Sequence, residues 1–206
     1  MAPLNTTPDQ LMSVFATHTV TISGQKYSDP VSQAYPFYWC SLRNNDTKAF
    51  HSGLQLVLRD CDMRVLYNNG TGSALLRLDA SNQRLNEAIQ CVEDHVRASL
   101  EPHMRGALQP LRRIGELGDP ALGVKCRYTA IDTERSTVHE LTPRAVVSSC
   151  ILTFQKITSY NSKLYIQCVL TAAIVKEDDN AQSTCGAHSI QSQDELFGLM
   201  SDEISA

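Results

Sequence analysis

Past Lys176 the chain has no lysine and no arginine. The thirty residues beyond it hold Glu177, Asp178, Asp179, Asp194, Glu195, Asp202 and Glu203, seven acids in all. With 22 acids and 18 bases in the whole chain, residues 1–176 keep 15 acids against all 18 bases. A body near +3 is thus joined to a tail near −7, and the net charge of −4 hides the division. A cationic surface beside an anionic tail suits a protein that handles a polyanion: the body attracts phosphates and the tail competes with them. An acidic terminus that only keeps a protein soluble carries the same charge signature.

Other absences narrow the field. No apolar run reaches the length of a membrane span, so none is expected. The first residues have neither basic side chains nor an apolar stretch, which speaks against a secretory signal. Seven cysteines, at positions 40, 61, 91, 126, 150, 168 and 185, are dispersed and odd in number. Without a signal they read as free thiols in a reducing, intracellular compartment. The Asn-x-Thr triplets at Asn5, Asn45 and Asn69 are then chance matches. There is no Gly-rich phosphate loop and no Gly-x-Ser-x-Gly elbow. Cys185-Gly-Ala-His188 lacks the second pair a zinc site needs. No catalytic residue, cofactor or metal is therefore expected, and the chain does not read as an enzyme. A triad assembled only by folding would leave no sequence trace.

What is present is a β-rich body. At 206 residues and 42% hydrophobic, the chain makes one large domain or two small ones. Residues 1–10 read as a flexible N-terminus, 11–176 as the body, and 177–206 as a disordered acidic tail. Strands are predicted at Thr17–Ser23, Phe37–Leu42, Gly53–Arg59, Met63–Tyr67 and Ser73–Leu78. Leu54, Leu56 and Leu58 give the clearest alternation. Asn68-Asn69-Gly70-Thr71-Gly72 reads as a hairpin loop. Leu85, Ile89, Val92, Val96 and Leu100 recur at helical spacing, with Ser81 as the expected cap and Pro102 as the stop. Met104, Leu108 and Leu111 suggest a further helical piece, and Pro110–Gly123 a long loop. Further strands are predicted from Val124, at Ala145–Ile157 and at Lys163–Val175. Thr158–Ser162 would turn the last two into a long hairpin. Many strands and one long helix suit a barrel of the oligonucleotide-binding (OB) type. A β-sandwich has the same strand count, and periodicity does not separate the two.

Basic residues interleave with aromatics on several of these strands. Trp39 and Arg43 share one, Arg64 and Tyr67 another, and Lys125, Arg127 and Tyr128 a third. Phe154 and Lys156 lie two apart, hence on one strand face, as do Lys163 and Tyr165. Single strands of nucleic acid ask for this mixture, since aromatic faces stack bases and cations track the phosphates. Trp39, Tyr128 and Tyr165 are the stacking candidates; Arg43, Lys125, Arg127, Lys156 and Lys163 are the phosphate candidates. Core filling and plain solvation are the alternatives for each. Tyr35-Pro-Phe-Tyr-Trp39 concentrates four aromatics, and the Gly106–Gly123 loop with Arg105, Arg112 and Arg113 is a candidate flap. In the tail, Asp194, Glu195, Leu196, Phe197, Asp202 and Glu203 mix acids with large apolar groups, which suits docking to a partner.

This layout resembles the single-stranded DNA-binding proteins of large DNA viruses and T7-like phages, the poxvirus type above all. The resemblance lies in the β-rich body, the interposed helix, the closing Ile151–Ile157 and Leu164–Val175 hairpin, and the acidic tail containing Phe197. The tail departs from the pattern in being less densely acidic and in not ending on an aromatic. The resemblance implies sequence-independent binding of single-stranded DNA in viral replication or recombination. It also implies recruitment of replication proteins through the tail, and residence in the cytoplasm or nucleus of an infected cell. RNA as a ligand and self-association remain open. The alternative is a non-enzymatic viral structural or interaction protein with a β-sandwich body.

Overall fold

The computed structural model describes residues 1–24, 26–27, 36–68, 72–114, 120–132, 137–138, 141 and 145–177. Of 26, 27, 68, 127–132, 137, 138 and 177 only the backbone path is described. Along the chain come β1 (Leu4–Thr6), a 3-10 turn (Pro8–Gln10), α1 (Leu11–Thr17), β2 (His18–Ile22), β3 (Lys26–Tyr27) and β4 (Pro36–Asn44). Then follow β5 (Phe50–His51), β6 (Leu54–Leu58), β7 (Met63–Asn68), β8 (Ser73–Arg77), α2 (Gln83–Ser99) and a 3-10 turn (Arg105–Ala107). The last elements are β9 (Arg112–Ile114), β10 (Pro120–Asp132), β11 (Thr137–Val138), β12 (Ala145–Tyr160) and β13 (Lys163–Glu177).

Five strands close on themselves. β7 pairs β8, β8 pairs β10, β10 runs parallel to β13, β13 pairs β12, and β12 returns to β7. Numbered by chain order within the barrel, the circuit is 1-2-3-5-4-1, a closed OB-like barrel. Closure sets the sandwich alternative aside. It also removes two sheet edges that would otherwise need covering. Leu76, Leu122, Val124, Val147 and Leu170 are fully buried and belong to one apolar core.

β12 outruns the barrel. One edge is paired with β13 over nearly its whole length. Its other edge meets β7 at Val146–Val147, β6 at Cys150–Phe154 and β4 at Lys156–Thr158 in turn. The step from β6 to β4 falls on a bulge: Phe154 faces Cys168 and Lys156 faces Gln167, leaving Gln155 extra. Gly53 sits against this bulge at φ 139°, where a Cβ would come within 2.6 Å of the Phe154 carbonyl oxygen. The hairpin turns at Asn161–Ser162, both with positive φ (47° and 60°), as a two-residue primed turn requires. Thr158–Tyr160, read from sequence as part of the turn, continue the strand.

α2 buries Leu85, Ala88, Ile89, Val92 and Val96, the face that the spacing predicts. Its cap is Asn82, whose side chain accepts from the Leu85 N–H at 3.1 Å, and not Ser81, which turns to Asp79. The chain beyond Leu100 is not a second helix, for only Arg105–Ala107 make a short turn. The side-chain carboxylate of the buried Glu93 holds this segment. It accepts from Arg97 at 2.8 Å and from the Leu111 N–H at 2.9 Å, while Arg97 reaches the carbonyls of Arg105 and Leu108. Arg112 and Arg113 lie in β9, paired to β10, where a loop is predicted.

Residues 1–10 also take part in the fold. β1 pairs parallel to β6, Thr6 is buried, and Asp9 pairs with Arg84. Short polar sequences give no sign of order when a neighbouring edge supplies the backbone partners. α1, with Leu11 buried, also went unforeseen. Among the described residues no helix is long and apolar enough to cross a membrane. Six of the seven cysteines are described and all six are free thiols.

Candidate nucleic-acid interface

The bulge at Gln155 decides what faces outward. Up to Phe154, which is only 2% exposed, β12 turns its larger groups into the core. Beyond it, Ile157 points inward and Lys156, Thr158 and Tyr160 share the outer face. The expectation that Phe154 and Lys156 share a face therefore fails, because the extra residue inverts the alternation between them.

Cross-strand partners extend this face. Lys156 lies opposite Trp39 on β4 and Gln167 on β13; Thr158 lies opposite Phe37 and Tyr165; Tyr160 lies opposite Lys163. β4 alternates cleanly, with Cys40 and Leu42 buried and Trp39 and Arg43 exposed. Trp39 is 39% exposed, so part of its side chain remains accessible.

The aromatic groups carry cations. The Lys156 ammonium lies 4.6 Å from the Phe37 ring centre and 5.0 Å from that of Trp39. Those two rings meet edge to face at 5.6 Å. Arg113 of β9 lies 5.5 Å over Tyr165. Burial lowers the affinity of Arg113 for its proton and the neighbouring Tyr165 opposes that; the guanidinium stays charged. Further along β4, Arg43 lies 5.5 Å over Phe50, which β5 sets directly opposite it and which is 45% exposed. Three cation–aromatic groups thus mark one outer surface: Arg113 with Tyr165, Lys156 with Phe37 and Trp39, and Arg43 with Phe50.

The sequence candidates divide accordingly. Trp39, Arg43, Lys156, Lys163 and Tyr165 come together here. Lys125 does not: it is 7% exposed, between Ser73 of β8 and Val169 of β13 inside the barrel wall. A strand flanked on both edges and covered on both faces has no solvent side for alternation to reveal. The backbones of Arg127 and Tyr128 lie in β10, and their side chains are outside the described residues, as is the whole of Asp194–Glu203. Arg64 pairs with Val146 at the barrel seam, far along β12 from Lys156. Phe37 and Arg113 were visible only as members of an aromatic cluster and a basic pair. Phe50 was missed, since nothing in its sequence neighbourhood tells that Arg43 lies across from it. Among the described residues no three metal-ligating His, Cys, Asp or Glu side chains gather.

No protein-family description matches the chain, and no curated protein matches its sequence. Among solved structures it is similar to the single-stranded DNA-binding protein of bacteriophage Enc34, at 9% identity over 86% of this chain and 99% of that one, with a TM-score of 0.39. A C-terminally truncated form of that protein gives 12% identity, 79% and 97% coverage and a TM-score of 0.39. Its complex with single-stranded DNA gives 9%, 78% and 97%, and 0.33. The assignment of this chain to an OB-like barrel stands on its own strand circuit.

Proposed function

We propose that the protein binds single-stranded nucleic acid, DNA in the first place, without sequence preference, across the outer face of β4, β12 and β13. The observation that carries the proposal is Lys156 seated over Phe37 and beside the exposed Trp39, on directly paired strands. Open ring faces stack any base, at about 1–3 kcal/mol each, and the adjacent cations meet the backbone. The six residue steps from Phe37 to Arg43 span roughly 20 Å at ~3.3 Å each. Such a length suits a few nucleotides, not a single mononucleotide. Duplex DNA hides its base faces and is expected to bind less well.

The chain holds the strand and does no chemistry on it. We further assign it to replication or recombination in a virus or phage, within an infected cell, with the acidic segment beyond Lys176 competing with DNA or recruiting replication proteins. The charge division supports the competition: a segment near −7 next to a body near +3 is attracted at low salt and released as salt screens it.

Trp39 is the chain's single tryptophan, so its fluorescence reports directly. Titration with oligo-dT should quench it, less so at high salt, and matched duplex should compete poorly. Equal or preferential duplex binding would end the proposal. Truncation after Lys176 should tighten binding at low salt only; identical curves would remove the competing role of the tail.

A further inference from the structure

α2 presents a thiol and an imidazole one turn apart, and α1 brings a thioether against the thiol. Cys91 Sγ lies 3.5 Å from Met12 Sδ and 3.6 Å from His95 Nδ1. Cys91 and His95 are at i and i+4 on one helix face. Phe15, also on α1, stacks flat on the His95 ring at 3.9 Å and 6°, fixing its plane. We propose that Met12, Cys91 and His95 form a binding site for a monovalent soft metal ion, Cu(I). Thiolate and thioether sulfur together select Cu(I) over the harder divalent ions, and imidazole suits copper as well. With metal–sulfur bonds of about 2.3 Å and metal–nitrogen bonds of about 2.0 Å, three donors around one ion stand roughly 3.5–4 Å apart. The two separations from Cys91, to Met12 and to His95, lie at the short end of this range.

The binding step balances simply. Cu(I) enters as such, with no change of oxidation state. The Cys91 thiol gives its proton to solvent and becomes the thiolate ligand. His95 Nδ1 now bonds the Cys91 carbonyl oxygen at 2.8 Å. It exchanges that bond for the metal, and its ring proton moves to Nε2 through solvent. The ion then ties α1 to α2, so metal binding adds to stability by mass action.

The test is anaerobic titration of the full chain with Cu(I) against a coloured Cu(I) chelator, bicinchoninate. One equivalent should be withdrawn from the chelator. Cys91→Ser should lose that equivalent. Met12→Leu should weaken it by more than about tenfold, as even outer-shell partners of a metal site do. Met12 is 66% exposed, so M12L leaves the fold in place. Copper-edge X-ray absorption should show two sulfurs and one nitrogen. One equivalent should raise Tm in the natural chain and not in C91S. An unchanged equivalent in C91S or M12L, an all-sulfur shell, or loss of binding in Cys185→Ser would overturn the assignment.

Discussion

The two ends of the β12–β13 hairpin are built from similar residues and do different work. Towards the barrel, Cys150, Leu152, Thr153 and Phe154 are buried, as are Val169 and Leu170 across from them. There β12 has β6 on its free edge and β13 has β10 on its own. Towards the turn, β13 loses β10 and is bordered instead by Leu108 and Gln109. The inner face still packs, through Ile157, Leu164 and Ile166, but the outer face carries Lys156, Thr158, Tyr160, Lys163 and Tyr165. One pair of strands thus supplies both a barrel wall and the proposed binding platform. Which role a residue takes depends on the strands beside it, and its own preference for the β conformation says nothing of it.

Substitutions on either side of Gln155 should separate the two roles. Phe154→Ala should cost about 3–5 kcal/mol of stability by leaving a cavity in the wall. Per folded molecule it should leave oligonucleotide affinity nearly unchanged; denaturant unfolding alongside binding measures both. Trp39→Ala should do the reverse, costing about 1–3 kcal/mol of binding with a small change in unfolding. If it unfolds the protein instead, Trp39 is core and the platform shrinks to Tyr165 and Phe50. Gly53→Ala should affect both ends, since the new Cβ meets the backbone of the bulge at a φ that favours glycine. A loss of at least about 1 kcal/mol of stability is expected, with weakened binding as Lys156 shifts. The finest comparison sets two lysines against each other. Lys156→Ala should lower the salt dependence of binding by one phosphate contact, a slope change of ~0.7, whereas Lys125→Ala should leave the slope where it is. Equal slope changes for the two would return Lys125 to the interface.

Much of the fold was legible because burial imposes a period. Leu54, Leu56 and Leu58 alternate because β6 has one face in the core, and Leu85 to Val96 recur because α2 has one stripe there. The candidate interface was half legible. Trp39, Arg43, Lys163 and Tyr165 are where alternation on a half-exposed strand puts them. Lys125 was misplaced because β10 is enclosed by β8 and β13, which its own residues do not announce. Phe154 and Lys156 were paired in error because a bulge is one residue long and leaves no compositional mark at Gln155.

The positions of β6, α2 and the β12–β13 hairpin, the basic body and the acidic segment were legible in the sequence alone, since each depends on neighbours within a few positions. Barrel closure, the order of strands along β12, and the seating of Lys156 over Phe37 and Trp39 were decided only by the tertiary structure. Those contacts join residues far apart in the chain, and the register that brings them together is set by packing of the whole core around Gly53 and the bulge it receives.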